Sequence, residues 1–195
     1  MMQAWGVPIN VAEGILAGRV DEIRRRMLPA NHYRVAEAAR LLDMPLMSVH
    51  TPADNNVQKL VQAHIDSRTP ETLQDLIKVL KEIPEYKEAA KRNTGPTILV
   101  GNKENRCGKI AVIMTGGTGG PKEDLEELVK AGVGTVVEMH MTDDKVEEAK
   151  KHHLNIVIAG HIASDSIGMN IILDEFEKQG VEVVTFSGII RHRRF

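Results

Sequence analysis

From Lys109 to Gly160 the chain alternates short β-branched runs with charged helical stretches. KIAVI, GTVVEMH and LNIVIAG are the runs, and PKEDLEELVKAG and DDKVEEAKKHH lie between them. This alternation constrains the fold most, because parallel strands need a crossover and a helix is the usual one. It predicts βαβ units in a mostly parallel sheet buried on both faces. TILV adds a strand before them, and VEVVTFSG reads as one after the helix SIGMNIILDEFEKQG. A Gly-rich loop, TGGTGG, follows KIAVI.

Before Lys91 the pattern is helical. Val11, Ile15, Val20, Ile23 and Met27 repeat at helical spacing until Pro29. HYRVAEAARLLD, NNVQKLVQAHID and ETLQDLIKVLKEI read as further helices, with PLMSVH as a strand ahead of Pro52. Aromatic residues make up 3% of the chain, so the core is built from aliphatic side chains. A formal charge of −2 gives no general attraction to nucleic acid or to an anionic membrane. One cysteine excludes an internal disulfide framework, and no apolar run spans a bilayer. The expectation is a cytoplasmic protein.

Two stretches echo each other. LMSVHTPADN and VIAGHIASDS each end an apolar run in His and place Asp four residues on. In a helical first turn that spacing puts both side chains on one face. His50 with Asp54 and His161 with Asp165 would then offer imidazole nitrogen and carboxylate oxygen, a ligand set suited to Zn, Mn or Fe(II). In an α/β fold, strand carboxyl ends face the binding crevice, so two such turns could share one ion. Taken singly, each turn also reads as a capped helix start. His140 and Glu138 end another strand, where each is either a turn or solvated residue or a proton carrier. Ser164 either orients a substrate or caps its helix. The TGGTGG loop is either a tight turn or an anion-holding nest, and it lacks the Lys-Ser/Thr of a P-loop.

HTPADN at His50–Asn55, TGGTGG at Thr115–Gly120 and AGHIASD at Ala159–Asp165 occur in the order found in the NIF-three-like dinuclear-metal proteins, and the chain resembles that family from about Gly6 onward. Bacterial members are described as type-two GTP cyclohydrolase-like. The resemblance implies His50, Asp54, His161 and Asp165 as ligands of one or two divalent ions (Zn, Fe or Mn). It implies two small α/β domains: residues 1–92 with 150–195 forming the metal-site domain, and 93–149 inserted in it. It also implies a homo-oligomer, often a ring-shaped hexamer. There are two departures. Asp165 stands where the family usually has Glu, and no His-His-Pro segment is present, since His152-His153 is followed by Leu154. The chain therefore reads as shortened at its N-terminus.

Two functions follow as expectations. One is a metal-dependent hydrolase of a small, nucleotide-like substrate, with Glu138, His140 and Ser164 as catalytic candidates. The other is a non-catalytic metal-binding or scaffold oligomer. A nucleotide-binding module built on the Gly-rich loop is a weaker third. An uncovered sheet edge also predicts self-association.

Overall fold

The computed structural model describes residues 2–116 and 119–195. Among the described residues, eight α-helices and four strands follow a short 3-10 turn at Met2–Trp5. Helices α1 (Ile9–Met27), α2 (Arg34–Leu41), α3 (His50–Arg68), α4 (Leu73–Leu80) and α5 (Pro84–Lys91) precede the sheet. Strands β1 (Thr97–Val100) and β2 (Lys109–Ile113) lead to α6 (Glu123–Lys130) and β3 (Val133–Glu138). The chain ends with α7 (Asp143–Lys151), β4 (Asn155–Ile158), α8 (His161–Lys178) and an irregular tail.

The strands form one mixed sheet in the order β1-β4-β3-β2. β2, β3 and β4 run parallel, and β1 pairs antiparallel with β4. The expected βαβ units are therefore present. The expected boundary at residues 149 and 150 runs through this sheet, because β3 on one side pairs with β4 on the other. The described residues form a single α/β domain, and two domains are not seen.

Strand alternation divides the core into two layers. Val112, Val137 and Val157 pack with α3, α4, α5 and α8. Ala111, Val136 and Ile156 face the opposite way, toward α6, α7 and the N-terminal turn. Burial on both faces explains the unbroken apolar runs.

Two expected strands are absent. Residues 44–49 and 181–186 are irregular, and Met47, Val184 and Phe186 are exposed. Both segments have strand composition but no neighbouring strand to supply hydrogen bonds, and composition alone makes no ladder. The helix after Pro52 begins two residues earlier than expected, at His50. α5 was not anticipated; Pro84 occupies its first turn, where a missing N–H costs nothing.

One sheet edge is closed within the chain. α3 lies beside β2, and the Gln62 side chain accepts from Val112 N–H at 2.9 Å and donates to the Ile110 carbonyl at 3.3 Å. The uncovered-edge argument for self-association therefore does not apply at β2.

The basic tail is folded back rather than solvated. Arg194 reaches the fully buried Glu85 carboxylate at 2.7 Å, and Asn170 donates to the same carboxylate at 2.7 Å. Arg191 pairs with Asp174 at 2.6 Å. Removing one partner of a buried pair strands the other charge. Arg194→Ala should cost about 3 kcal/mol or more in urea unfolding, whereas Arg193→Ala, at an exposed pair, should cost about 1 kcal/mol or less.

Candidate metal centre

The site begins with a helix contact. A Cβ on Gly168 of α8 would lie 2.2 Å from the Ala53 carbonyl oxygen of α3. Only glycine permits that approach, and it brings the first turns of both helices together. Gly160, which caps α8, has φ +102°, and a Cβ there would meet the Thr94 carbonyl oxygen at 2.5 Å. The glycine before His161 thus serves both a left-handed turn and a close approach.

The structure brings the four expected ligands to the same end of the α3–α8 pair. His50 and His161 are the first residues of α3 and α8, and each faces its Asp one turn on. Nε2 of His50 is 3.5 Å from Asp54 Oδ2, and Nε2 of His161 is 3.6 Å from Asp165 Oδ2. Both imidazoles converge on Gly116, where a Cβ would sit 3.1 Å from His50 Nε2 and 3.0 Å from His161 Nε2. Asp54 Oδ2 accepts the Gly116 N–H at 3.0 Å. Asp54 Oδ1 is buried and has no hydrogen-bond partner among the described residues. Burial pushes the Asp165 carboxyl above the ordinary carboxylate range, against the pull of His161, while Asp54 adds a like charge. Two imidazoles, two carboxylates, one orphaned carboxylate oxygen and a glycine that leaves the space open suit a divalent cation.

His140 joins the cluster from the end of β3. Its ring centroid lies 4.9 Å from that of His161. Its Nε2 is 3.0 Å from the Gly116 carbonyl oxygen. A carbonyl only accepts, so Nε2 carries the hydrogen and Nδ1 is left as the basic nitrogen.

Beside His140, on the α6–α7 side of the sheet, is a cavity of about 420 Å³. Thr115, His140, Glu138, Lys145, Lys122 and Arg19 are among its lining residues. Glu138 is buried and accepts from Lys145 at 3.1 Å. Burial raises the Glu138 pKa against the pull of Lys145. Asp124, 3.7 Å from the same ammonium, is pushed up to about 6, chiefly by burial.

Ser164 is placed differently. It is fully buried, donates to the Gly160 carbonyl at 2.6 Å, and meets the Tyr86 hydroxyl at 2.8 Å. With its hydrogen used on Gly160, Ser164 accepts from Tyr86, so both groups stitch α8 to α5. Gly117 and Thr118, at the centre of the loop considered for anion binding, lie outside the described residues. Glu126, Glu148 and His152 place one ligand atom each within 4.8 Å of one another, a closeness that no three of His50, Asp54, His161 and Asp165 reach. The carboxylates of this second group are engaged, Glu126 with Lys130 at 2.9 Å and Glu148 with Lys151 at 3.0 Å and His152 at 2.9 Å. Sequence reasoning missed Lys145, Asp124 and the structural part played by Gly116. The buried charges had no readable signal, because EDLEELVK around Asp124 and DDKVEEAKK around Lys145 both look like solvated helices.

A NIF3 superfamily protein from Sphaerobacter thermophilus is 31% identical to this chain, with a TM-score of 0.80, over 96% of this chain and 69% of the other. The chain belongs to the NIF3 superfamily. A Bacillus cereus protein related to NIF3 aligns at 20% identity and a TM-score of 0.39, over 56% of this chain and 27% of its own. Reduced HcgD from Methanocaldococcus jannaschii aligns at 13% identity and 0.41, over 57% and 40%. No family model matches the chain, and no curated protein matches it. Among the described residues, no helix is long and apolar enough to cross a membrane.

Asp124 supplies a pH test in this NIF3 protein. Its folded pKa of about 6 lies above its ordinary value of 3.8, so the folded chain holds a proton that the unfolded chain releases. The stabilisation is complete below about pH 4 and is lost as pH rises through about 6, on the order of 2–3 kcal/mol. Asp124→Asn should flatten that part of the stability profile, as measured by urea unfolding between pH 4 and 7.

Proposed function

We propose that His50, Asp54, His161 and Asp165 hold a divalent metal ion, one or two per chain and of Zn, Fe or Mn type, and that the centre hydrolyses a small, nucleotide-like molecule. The convergence of His50, His161 and Asp54 on Gly116, with Asp165 3.6 Å from His161 and Asp54 Oδ1 buried and unpartnered, supports this reading. A divalent ion bound there supplies Lewis acidity and makes water a usable nucleophile near neutral pH.

The chain's own groups do the rest. The cavity lies at the carboxyl ends of β2 and β3, where ligands of open α/β sheets bind. Its volume suits a small molecule. His140 lines the cavity and also reaches the ligand cluster, so its Nδ1 can take a proton from a reacting group. Glu138 and Lys145 give the cavity floor one acceptor and one donor for a polar substrate edge. Ser164 has a positioning part only, since its hydroxyl is engaged away from the cavity.

Elemental analysis of the purified chain tests the centre. Close to one or two ions per chain is expected, falling by more than half in His161→Ala and in Asp54→Asn. A wild-type chain without metal after reconstitution would end the proposal. His140→Ala should retain the metal and lose hydrolysis of a nucleotide panel.

A second reading, a metal-holding assembly protein without turnover, is favoured by the exposed apolar residues of the first half. Leu28, Leu41 and Leu42 are 76%, 77% and 69% exposed. Apolar surface of that kind marks association. A homo-oligomer is expected, with a hexamer as the family's form, and sedimentation at micromolar concentration checks it. Leu41→Glu with Leu42→Glu should shift the mass toward the monomer.

A further inference from the structure

The helix α3 carries three polar side chains spaced by four residues: Asp54, Gln58 and Gln62. All three meet backbone N–H groups along one edge of β2 and its continuation. Gln62 Oε1 accepts from Val112 at 2.9 Å, Gln58 Oε1 from Met114 at 3.3 Å, and Asp54 Oδ2 from Gly116 at 3.0 Å. The periodicities match. Four helical residues rise about 6 Å, and two strand residues rise about 6.6 Å. The helix thus stands in for a missing neighbouring strand, one rung per turn. A one-residue slip of α3 would break every rung, because residues on the next face of a helix point elsewhere.

The top rung is the proposed metal ligand. Gly116 uses its N–H to fix Asp54 Oδ2, its carbonyl to engage His140, and its lack of a Cβ to admit both His50 and His161. The ladder holds Asp54 Oδ2 3.5 Å from His50 Nε2 and leaves Oδ1 buried and without a partner among the described residues.

We propose that the Gln62–Gln58–Asp54 ladder on the β2 edge is the device that sets the metal-binding geometry, with Gln58, Gln62 and the Gly116 peptide as positioning groups. This rests on the reading that the cluster holds a metal. Its logic is that of outer partners that orient metal ligands, whose loss commonly weakens metal affinity about 10–100-fold. The TGGTGG loop then enters the site through the peptide of its first glycine.

The test is the Zn(II) dissociation constant of the full chain, measured by competition with a chromogenic chelator. Gln58→Met keeps the length and helical preference of the side chain but loses the oxygen that accepts from Met114. Gln58→Glu keeps an accepting oxygen. Thr72→Ala removes the side-chain cap of α4, away from the site, and controls for general destabilisation. Gln58→Met should bind Zn(II) about tenfold or more weakly than wild type. Gln58→Glu should restore most of that loss, and Thr72→Ala should not change affinity. Unchanged affinity in Gln58→Met, with only a lower melting temperature, would overturn the proposal. If wild type binds no Zn(II), the metal reading falls on its own and amide exchange decides the ladder. Faster exchange at Gly116 in Gln58→Met upholds positioning, and equal exchange rejects it.

Discussion

The near-contact of the Ala53 carbonyl with Gly168 is the constraint on which the site depends, since a Cβ at Gly168 would lie 2.2 Å from that oxygen. Helices with larger residues at their contacts pack at 8–10 Å between axes, and small residues allow the closer end of that range. The contact is placed one turn from the start of α3 and two turns from the start of α8. At that depth the His and Asp of each first turn face the same space. α3 is fixed from outside by the edge of β2, and α8 by the tail network around Glu85 and Asp174. Each element that presents a ligand is thus tied to something other than the ligands. The cluster can persist without metal because its helices are held elsewhere.

The two faces of the sheet bury charge differently. On the α3–α8 side, each carboxylate sits one turn into its helix beside an imidazole, and Asp165 is raised by burial against the pull of His161. On the α6–α7 side, Asp124 and Glu138 share one ammonium, from Lys145. One cation cannot fully offset two buried carboxylates, which is why burial prevails and Asp124 rises to about 6. Buried ion clusters are weak evidence for stability. Of the three, Glu138 and Lys145 line the cavity beside His140, while Asp124 lies behind them.

Sequence reading found α1 to α4, β1, β2, α6, β3, α7, β4 and α8, each marked by helical or β-branched patterning between turn residues. It failed where a local pattern lacked a tertiary partner. PLMSVH and VEVVTFSG have strand composition, yet nothing pairs with them, and a strand is made by its neighbour as much as by its residues. α5 was hidden because PEYKEAAK is short and follows directly on α4. Of the site, the two His-to-Asp turns were legible, because an i, i+4 spacing is local information. Ser164 was read as orienting a substrate or capping its helix, and its partners, the Gly160 carbonyl and the Tyr86 hydroxyl, are not visible in the sequence. The ladder could not be read at all. Gln58 and Gln62 look like ordinary surface residues, and their partners are backbone groups some fifty positions later, which no side-chain pattern marks.

The two turns that look alike in sequence are unequal in the fold. Asp54 is held by a backbone N–H and is mostly buried, whereas Asp165 faces its own His161 and is more open to solvent. Burial and the nearby Asp54 charge raise the Asp165 pKa. Fixing a carboxylate by a main-chain donor removes rotamer freedom before any ion arrives, so less entropy is lost on binding. Asp54 is therefore the rigid corner of the proposed centre and Asp165 the adjustable one. Asp165 thus falls on the side that has slack.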